Sequence, residues 1–231
     1  MKLFGMHVIR YGWLTLAPLA LLGADYDDAS QPAYADGWEN LEDGSTEENG
    51  LGGWVFDEST VRFGDNIGIE TSALRKGGDN IDADGLAFML HDRNGQFVEL
   101  YRFFDPAGLS PGETFSIELI VNGEAGYQGL DLRNEHDQTV FNFNGGVEPY
   151  TVSKAKSGDG ALEMNTKTRA LFQLSFKQQS DGGEWQISEA GGRKVLARGE
   201  YQGRARSIRL YAGDQGSAIA NALFFNRLVI K

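Results

Sequence analysis

"TFSIELIV", residues 114–121, is the stretch on which the reading of this chain turns. Phe115, Ile117, Leu119 and Val121 fall on one side of an extended segment, and Thr114, Ser116 and Glu118 fall on the other. Alternation with a period of two marks a strand with one buried face, because successive side chains point to opposite sides of a sheet. A helix would need apolar residues three and four apart, and no window sustains that stripe for three turns. The alternation recurs in "LFQLSFK" (171–177), with Phe172, Leu174 and Phe176 inward. It recurs again in "SIRLYA" (207–212), where Ile208, Leu210 and Ala212 oppose Arg209 and Tyr211.

Outward from these anchors, shorter runs read the same way: "WVFD", "STVRF", "LAFMLH", "QFVELYRFF", "YQGLDLRN", "QTVFNFN", "YTVSK", "EWQISE", "KVLARGEY" and "ALFFNRLVIK". Between them lie "DRNG", "SPGE", "VNGEAG", "FNGG", "SDGG" and "EAGGRK", whose residues suit tight turns. Glycine supports this: 31 of 231 residues is well above the usual ~7% and has no collagen-like period. Many short strands joined at hairpin spacing predict an all-β protein of two packed antiparallel sheets. Residues 34–231 show no break in composition and no repeat, which reads as one domain.

The first 24 residues differ from the rest. Lys2 and Arg10 precede an uncharged run from Tyr11 to Gly23, and small residues end it at Ala24. This is the pattern of a secretory signal peptide, too short and too interrupted at Pro18 for a membrane span. The expected organisation is therefore a signal peptide at 1–24, a polar lead-in without periodicity at 25–33, and the domain. The expected location is secreted, periplasmic or extracellular. The chain has no cysteine, which excludes disulfides, zinc-thiolate sites and a thiol nucleophile.

Net charge is −12. A phosphate backbone repels an acidic chain, so nucleic acid is excluded as a partner. The charge is uneven: residues 25–150 carry 6 basic and 26 acidic residues, whereas 151–231 carry 13 and 7. Either the halves present separate partner surfaces or they interleave and neutralise each other in one sandwich.

The residues "GWENLEDGSTEENGLGGWVF", "NIDADGLAFMLHDRNGQFVELYRFF", "LSPGETFSIELIVN", "YQGLDLRNEHDQTVFNFNGG" and "NALFFNRLVI", in that order, resemble secreted bacterial domains of the concanavalin A-like lectin/glucanase superfamily. The likeness covers roughly residues 34–231 and rests on turns and core aromatics, with no catalytic signature. It implies a jelly-roll sandwich, secretion and a carbohydrate ligand. On this basis Trp54 and Phe56 are expected in the core or on a sheet face, and Trp38 is expected at the surface.

Glycoside hydrolases on this fold set acid and nucleophile on one strand at E-x-D-x-x-E or E-x-D-x-E spacing, which a retaining mechanism needs. Neither pattern occurs, and no serine sits in G-x-S-x-G. His91 at a strand end and His136 in "RNEHDQ" read as turn residues rather than catalysts. The chain therefore leans away from an enzyme. "NIDADG" places Asn80, Asp82 and Asp84 at alternating positions before Gly85, matching the first half of a calcium loop, but His91 stands where the closing glutamate belongs. Those three residues are the candidate Ca2+ ligands. Asp131, Asn134, Glu135 and Asp137 form a second oxygen-rich stretch.

The remaining constellation is a sheet face. With Val98, Leu100 and Phe104 inward, Phe97, Glu99, Tyr101 and Phe103 face the other way. With Leu130, Leu132, Phe141 and Phe143 inward, Asp131, Arg133, Asn142 and Asn144 face outward. Aromatic rings with amides and carboxylates suit a glycan, since hydroxyl recognition requires matched polar partners. The expected site is thus Glu99, Tyr101, Asp131, Arg133, Asn142 and Asn144. Tyr101 would stack on a sugar, and Arg133 would orient Asp131 or meet an acidic sugar. Two other outcomes stay open: a surface protein whose sheet face self-associates, and a polysaccharide hydrolase or lyase with an unfamiliar site. The basic set Arg193, Lys194, Arg198, Arg204, Arg206 and Arg209 is either a solvated edge or a seat for an anionic polysaccharide.

Overall fold

The fold is taken from a computed structural model, which describes residues 25–35, 37–38, 51–56, 66–73, 80–92, 95, 97–104, 107–121, 126–146, 149–162, 170–189 and 194–231. The expected signal peptide, "STVRF" and Arg193 lie outside the described residues. Fifteen strands follow in chain order: β1 (Asp25–Asp27), β2 (Leu51–Phe56), β3 (Ile67–Glu70), β4 (Ala87–Leu90), β5 (Val98–Phe104), β6 (Thr114–Val121), β7 (Tyr127–Asn134), β8 (Thr139–Asn144), β9 (Thr151–Ser153), β10 (Gly160–Ala161), β11 (Ala170–Gln178), β12 (Gly183–Glu189), β13 (Val195–Tyr201), β14 (Ala205–Gly213) and β15 (Leu223–Ile230). The first sheet runs β13–β12–β11–β6–β15–β4–β3 with β1 added to β15, and the second runs β10–β9–β8–β7–β14–β5–β2. Every named pairing is antiparallel. The result is the two-sheet jelly-roll sandwich that the alternation and the resemblance implied.

The period-two stripes meet between the sheets. Phe115, Ile117, Leu119 and Val121 of β6, Phe172, Leu174 and Phe176 of β11, and Ile208, Leu210 and Ala212 of β14 are all fully buried in one core. Rings interlock across it: Phe104 packs on Phe115 at 4.8 Å, and Phe141 meets Phe176 edge-on at 5.0 Å. Such edge and offset contacts add stability beyond area burial alone. Trp54 and Phe56 are buried, as expected. Trp38 is not a surface residue. It is buried against Trp54, Phe56, Phe88 and Phe225, with ring centroids 4.7–6.0 Å away.

The stretch read as a polar lead-in supplies β1 and a 3-10 turn at Pro32–Tyr34. Its fixing point is a charge in the core. Arg102 lies on the inward face of β5, fully buried, with Nη2 donating to the Asp27 carboxylate at 2.9 Å and its guanidinium 4.7 Å over the Trp54 ring. Tyr34 donates its hydroxyl to Asp27 at 2.8 Å and receives the Trp54 indole N–H at 3.0 Å. Burial raises the Asp27 carboxyl to about 6, although Arg102 and Tyr34 pull it down.

Two short strands share one edge of β15. Its first half pairs with β4 and its second half with β1. Between them the strand bulges at Asn226–Arg227, where Arg227 takes a φ of 52°. The buried Asn226 side chain fills the break. It accepts from the Ala29 N–H at 3.0 Å and donates to the Ile81 and Leu86 carbonyls at 2.9 Å each. The bulge ends one pairing and starts another, and its amide side chain satisfies backbone groups of the neighbouring segments.

Candidate functional site

The outward face of the second sheet gathers all six expected residues. Register brings Tyr101 of β5 opposite Arg209 of β14, Arg209 opposite Asp131 of β7, Asp131 opposite Asn142 of β8, and Asn142 opposite Ser153 of β9. This row crosses five strands, or roughly 19 Å at the usual strand spacing. A neighbouring row carries Glu99, Tyr211, Gly129 and Asn144, and the next carries Phe103, Ser207, Arg133 and Thr139.

The rows are stitched by side-chain hydrogen bonds. Arg209 is the hub: Nη1 donates to Glu99 Oε2 at 3.1 Å, and Nη2 donates to Asp131 Oδ2. Tyr101 donates to the same Glu99 oxygen at 2.6 Å. Asn142 donates through Nδ2 to Asp131 Oδ1 at 2.7 Å and to the Tyr211 hydroxyl at 2.8 Å, while its Oδ1 accepts from Ser153 at 3.2 Å. Asp131 is only 1% exposed, and a carboxylate so buried is costly unless paired and hydrogen-bonded. Burial opposes the Arg209 charge, yet Asp131 and Glu99 outweigh it and raise its pKa. Burial, followed by the bond to Glu99, raises the Tyr101 phenol, and burial pushes Tyr211 up to about 12. The face therefore sets Glu99 and Asp131 on one shared guanidinium, bordered by phenols that burial keeps protonated.

Two glycines shape the surface. A Cβ at Gly129 would overlap the Phe143 carbonyl oxygen and come within 2.7 Å of the Tyr211 hydroxyl. The bare backbone there lets Tyr211 lie across β7 and reach the Phe143 carbonyl at 3.2 Å. A Cβ at Gly213 would fall on the Tyr127 ring, so Tyr127 lies over β14. It stacks with Phe97 at 5.9 Å and 26°, beside Tyr211. The network thus ends in an aromatic shelf built from Phe97 and Tyr127, both half-buried.

Several roles differ from expectation. Arg209, assigned by its sequence neighbourhood to a basic cluster, is what orients Asp131. Arg133 instead turns to Asp137, with Nε on the carboxylate at 2.8 Å and Nη2 on the carbonyl at 2.6 Å. Its guanidinium lies 5.8 Å from the centre of the Tyr101 ring, so one face of that ring already has a neighbour. Asn144 sits on the face, and its Oδ1 also accepts the Gly146 N–H at 3.3 Å. Sequence reasoning missed Arg209, Tyr211 and Tyr127. The signals were present: Arg209 and Tyr211 alternate outward in "SIRLYA", and an isolated glycine within "YQGLDL" indicates close approach.

The basic set does not form one patch. Lys194 pairs with Glu189 at 3.3 Å, Arg204 donates to the Gly108 and Leu109 carbonyls, and Arg206 lies 6.0 Å over Phe103. Arg198 lines a separate groove of about 580 Å³ over β11–β13, with Lys177, Glu184, Trp185 and Glu200.

The half calcium loop folds as a hairpin. Asp84 and Gly85 have φ of 48° and 84°, and Ala83 and Leu86 exchange both backbone hydrogen bonds at 2.9 Å. Asp-Gly with two positive φ angles is the favoured two-residue hairpin turn. The Asp82 carboxylate accepts from the Ser72 N–H and Thr71 hydroxyl at 2.8 Å each and from the Ser72 hydroxyl, while Asn80 and Asp84 are exposed. The Asp82 carboxylate is thus engaged by its neighbours, with Asn80 and Asp84 at the surface on either side of it. In the second oxygen-rich stretch, Asn134 caps the hairpin through the His136 and Gln138 N–H groups at 3.0 Å each, and Glu135 accepts from the Arg204 N–H at 2.6 Å. Among the described residues no three His, Cys, Asp or Glu side chains gather as a metal site, and no helix is long and apolar enough to cross a membrane.

No protein-family model matches the chain, and no curated protein matches it in sequence. Solved structures similar to it include a sialidase, at 12% identity and TM-score 0.45 over 72% of this chain and 16% of that one. The exoplasmic/lumenal domain of VIP36 in its Ca2+-bound form matches at 9% and 0.44 over 76% of this chain and 82% of that one. An alginate lyase of Polysaccharide Lyase family 7 matches at 14% and 0.42, over 77% and 93% respectively. No activity or ligand carries across at that level of likeness.

Proposed function

We propose that this chain is a secreted protein that binds carbohydrate on the outer face of its second sheet and does not cleave it. The observation that carries this reading is the cross-strand row Tyr101–Arg209–Asp131–Asn142–Ser153, a preorganised set of donors and acceptors beside aromatic rings. Fixed polar groups of both kinds match sugar hydroxyls without further ordering, which lowers the cost of binding. The N-terminal pattern around Lys2, Arg10 and Ala24 supports export.

The arrangement disfavours glycoside hydrolysis. A retaining or inverting mechanism needs one carboxyl held protonated as general acid. Glu99 and Asp131 both pair with Arg209, so both carboxyls are engaged within the sheet rather than free to meet a glycosidic oxygen.

A glycan array on the protein, followed by titration of the best ligand, tests the proposal. The double variant Tyr101→Ala, Asn142→Ala removes the bonds that fix Glu99, Asp131 and Tyr211 and is expected to lose at least about tenfold in affinity. No new reducing ends should appear on prolonged incubation. An array without hits, or unaltered affinity in the folded double variant, refutes the assignment.

A further inference from the structure

The guanidinium groups in the middle of the proposed face are already matched. Arg209 serves Glu99 and Asp131, and Arg133 serves the carboxylate and the carbonyl of Asp137. An Arg fork recognises a carboxylate or sulfate by presenting two parallel N–H groups to it, so an anionic sugar would have to displace a bound partner. Arg206 is the third cation, exposed at the Phe103 end. Against these stand Glu99, Asp131 and Asp137, with Asp92 and Asp214 near Tyr127 at the other end. Burial first, then Asp214 and Asp92, raise the Tyr127 phenol. Among these described residues five acids stand against three bases, and an excess of that sign repels anions.

The apolar side of the site is equally specific. Tyr101 already carries Arg133 near its ring, whereas Phe97 and Tyr127 stack into a half-buried shelf next to the Glu99–Asn144 row. Resting on the carbohydrate-binding reading above, we infer that the face takes a neutral glycan, with one pyranose on the Phe97–Tyr127 shelf and its hydroxyls toward Glu99 and Asn144, and that it rejects uronate- and sulfate-bearing chains. The shelf, rather than Tyr101, is the stacking element.

The test uses the full chain on an array of neutral oligosaccharides of glucose, mannose, galactose and xylose beside oligouronates and sulfated glycans. Hits are then titrated at ~50 and ~500 mM NaCl, a range over which exposed charge pairing is strongly screened. Neutral hits are expected, with affinity changing by less than about twofold across that range. Tyr127→Ala should weaken binding about tenfold and Tyr127→Phe should retain it. Phe97→Ala supplies the same test should Tyr127→Ala melt early. Binding confined to uronates, lost at high salt and in Arg206→Ala, overturns the inference and leaves the carbohydrate reading standing. An array without any hit removes both.

Discussion

The pair Asp27–Arg102 ties the N-terminal strand to the core, and substitution there has a calculable outcome. Arg102 is fully buried and pairs with Asp27 at 2.9 Å. Asp27→Asn keeps the shape and removes the countercharge. A guanidinium cannot escape by losing its proton, so breaking this buried pair from the Asp27 side costs about 3–5 kcal/mol. Arg102→Met fills the same stem volume and leaves Asp27 alone. That carboxyl is already raised to about 6, and without Arg102 it rises further and takes up a proton, so the cost at pH 7 is smaller, on the order of 1–3 kcal/mol. The double variant removes both members of this pair and should return to within about 2 kcal/mol of the parent. Urea unfolding read by tryptophan fluorescence measures this, since Trp38, Trp54 and Trp185 are buried. The pH dependence has a definite sign. A folded pKa above the unfolded value of ~3.9 means that the native chain binds the proton more tightly. This carboxyl therefore adds stability below ~4 and loses that contribution as pH rises through about 6. An Asp27→Asn cost below about 1 kcal/mol, or a double variant no better than the worse single one, refutes the account.

Two further outcomes follow from the site. Gly129→Ala forces a methyl onto the Phe143 carbonyl, so β7 and β8 must separate locally; a loss of roughly 1–3 kcal/mol or more is expected in the same unfolding assay, and a neutral result removes the argument that Tyr211 needs a bare backbone. Because Asp82 is taken up by Thr71 and Ser72, calcium or a chelator should leave the melting temperature unchanged, and a rise of several degrees with millimolar calcium would restore the "NIDADG" segment as a ligand set.

What the sequence disclosed and what it hid divide along one physical line. Wherever a strand buries one face, alternation marks it: "YQGLDLRN" coincides with β7, and the inward residues of β6, β11 and β14 were readable directly. Where a few polar residues pair with a distant strand, nothing local marks the event. β1 is three residues, and its key contact lies 75 positions away at Arg102. The register that set Val98, Leu100 and Phe104 inward also pointed Arg102 at the core, an anomaly that called for a buried acid without naming it. "NIDADG" reads two ways because oxygen ligands and a type I′ hairpin use the same residues, and the structure supplies the hairpin and the partners of Asp82.

The six outward residues were placed by alternation alone, yet their roles came from which strands are neighbours. The two final strands enter the middle of their sheets: β14 lies between β7 and β5, and β15 between β6 and β4. Both flanks belong to the acidic first part of the chain, and the inserted strands carry the basic residues that answer it. Arg209 meets Glu99 and Asp131, and Arg227 meets Glu118 at 2.6 Å. The uneven charge along the sequence is thus complementarity between strands that lie far apart in sequence and side by side in space, which favours interleaving over two partner surfaces. Its sign was visible in the composition, but its pairs were fixed only by topology. The hub of the candidate site arrives with β14 and forms late in sequence, through contacts 110 and 78 residues apart, whose loop-closure entropy must be overcome first.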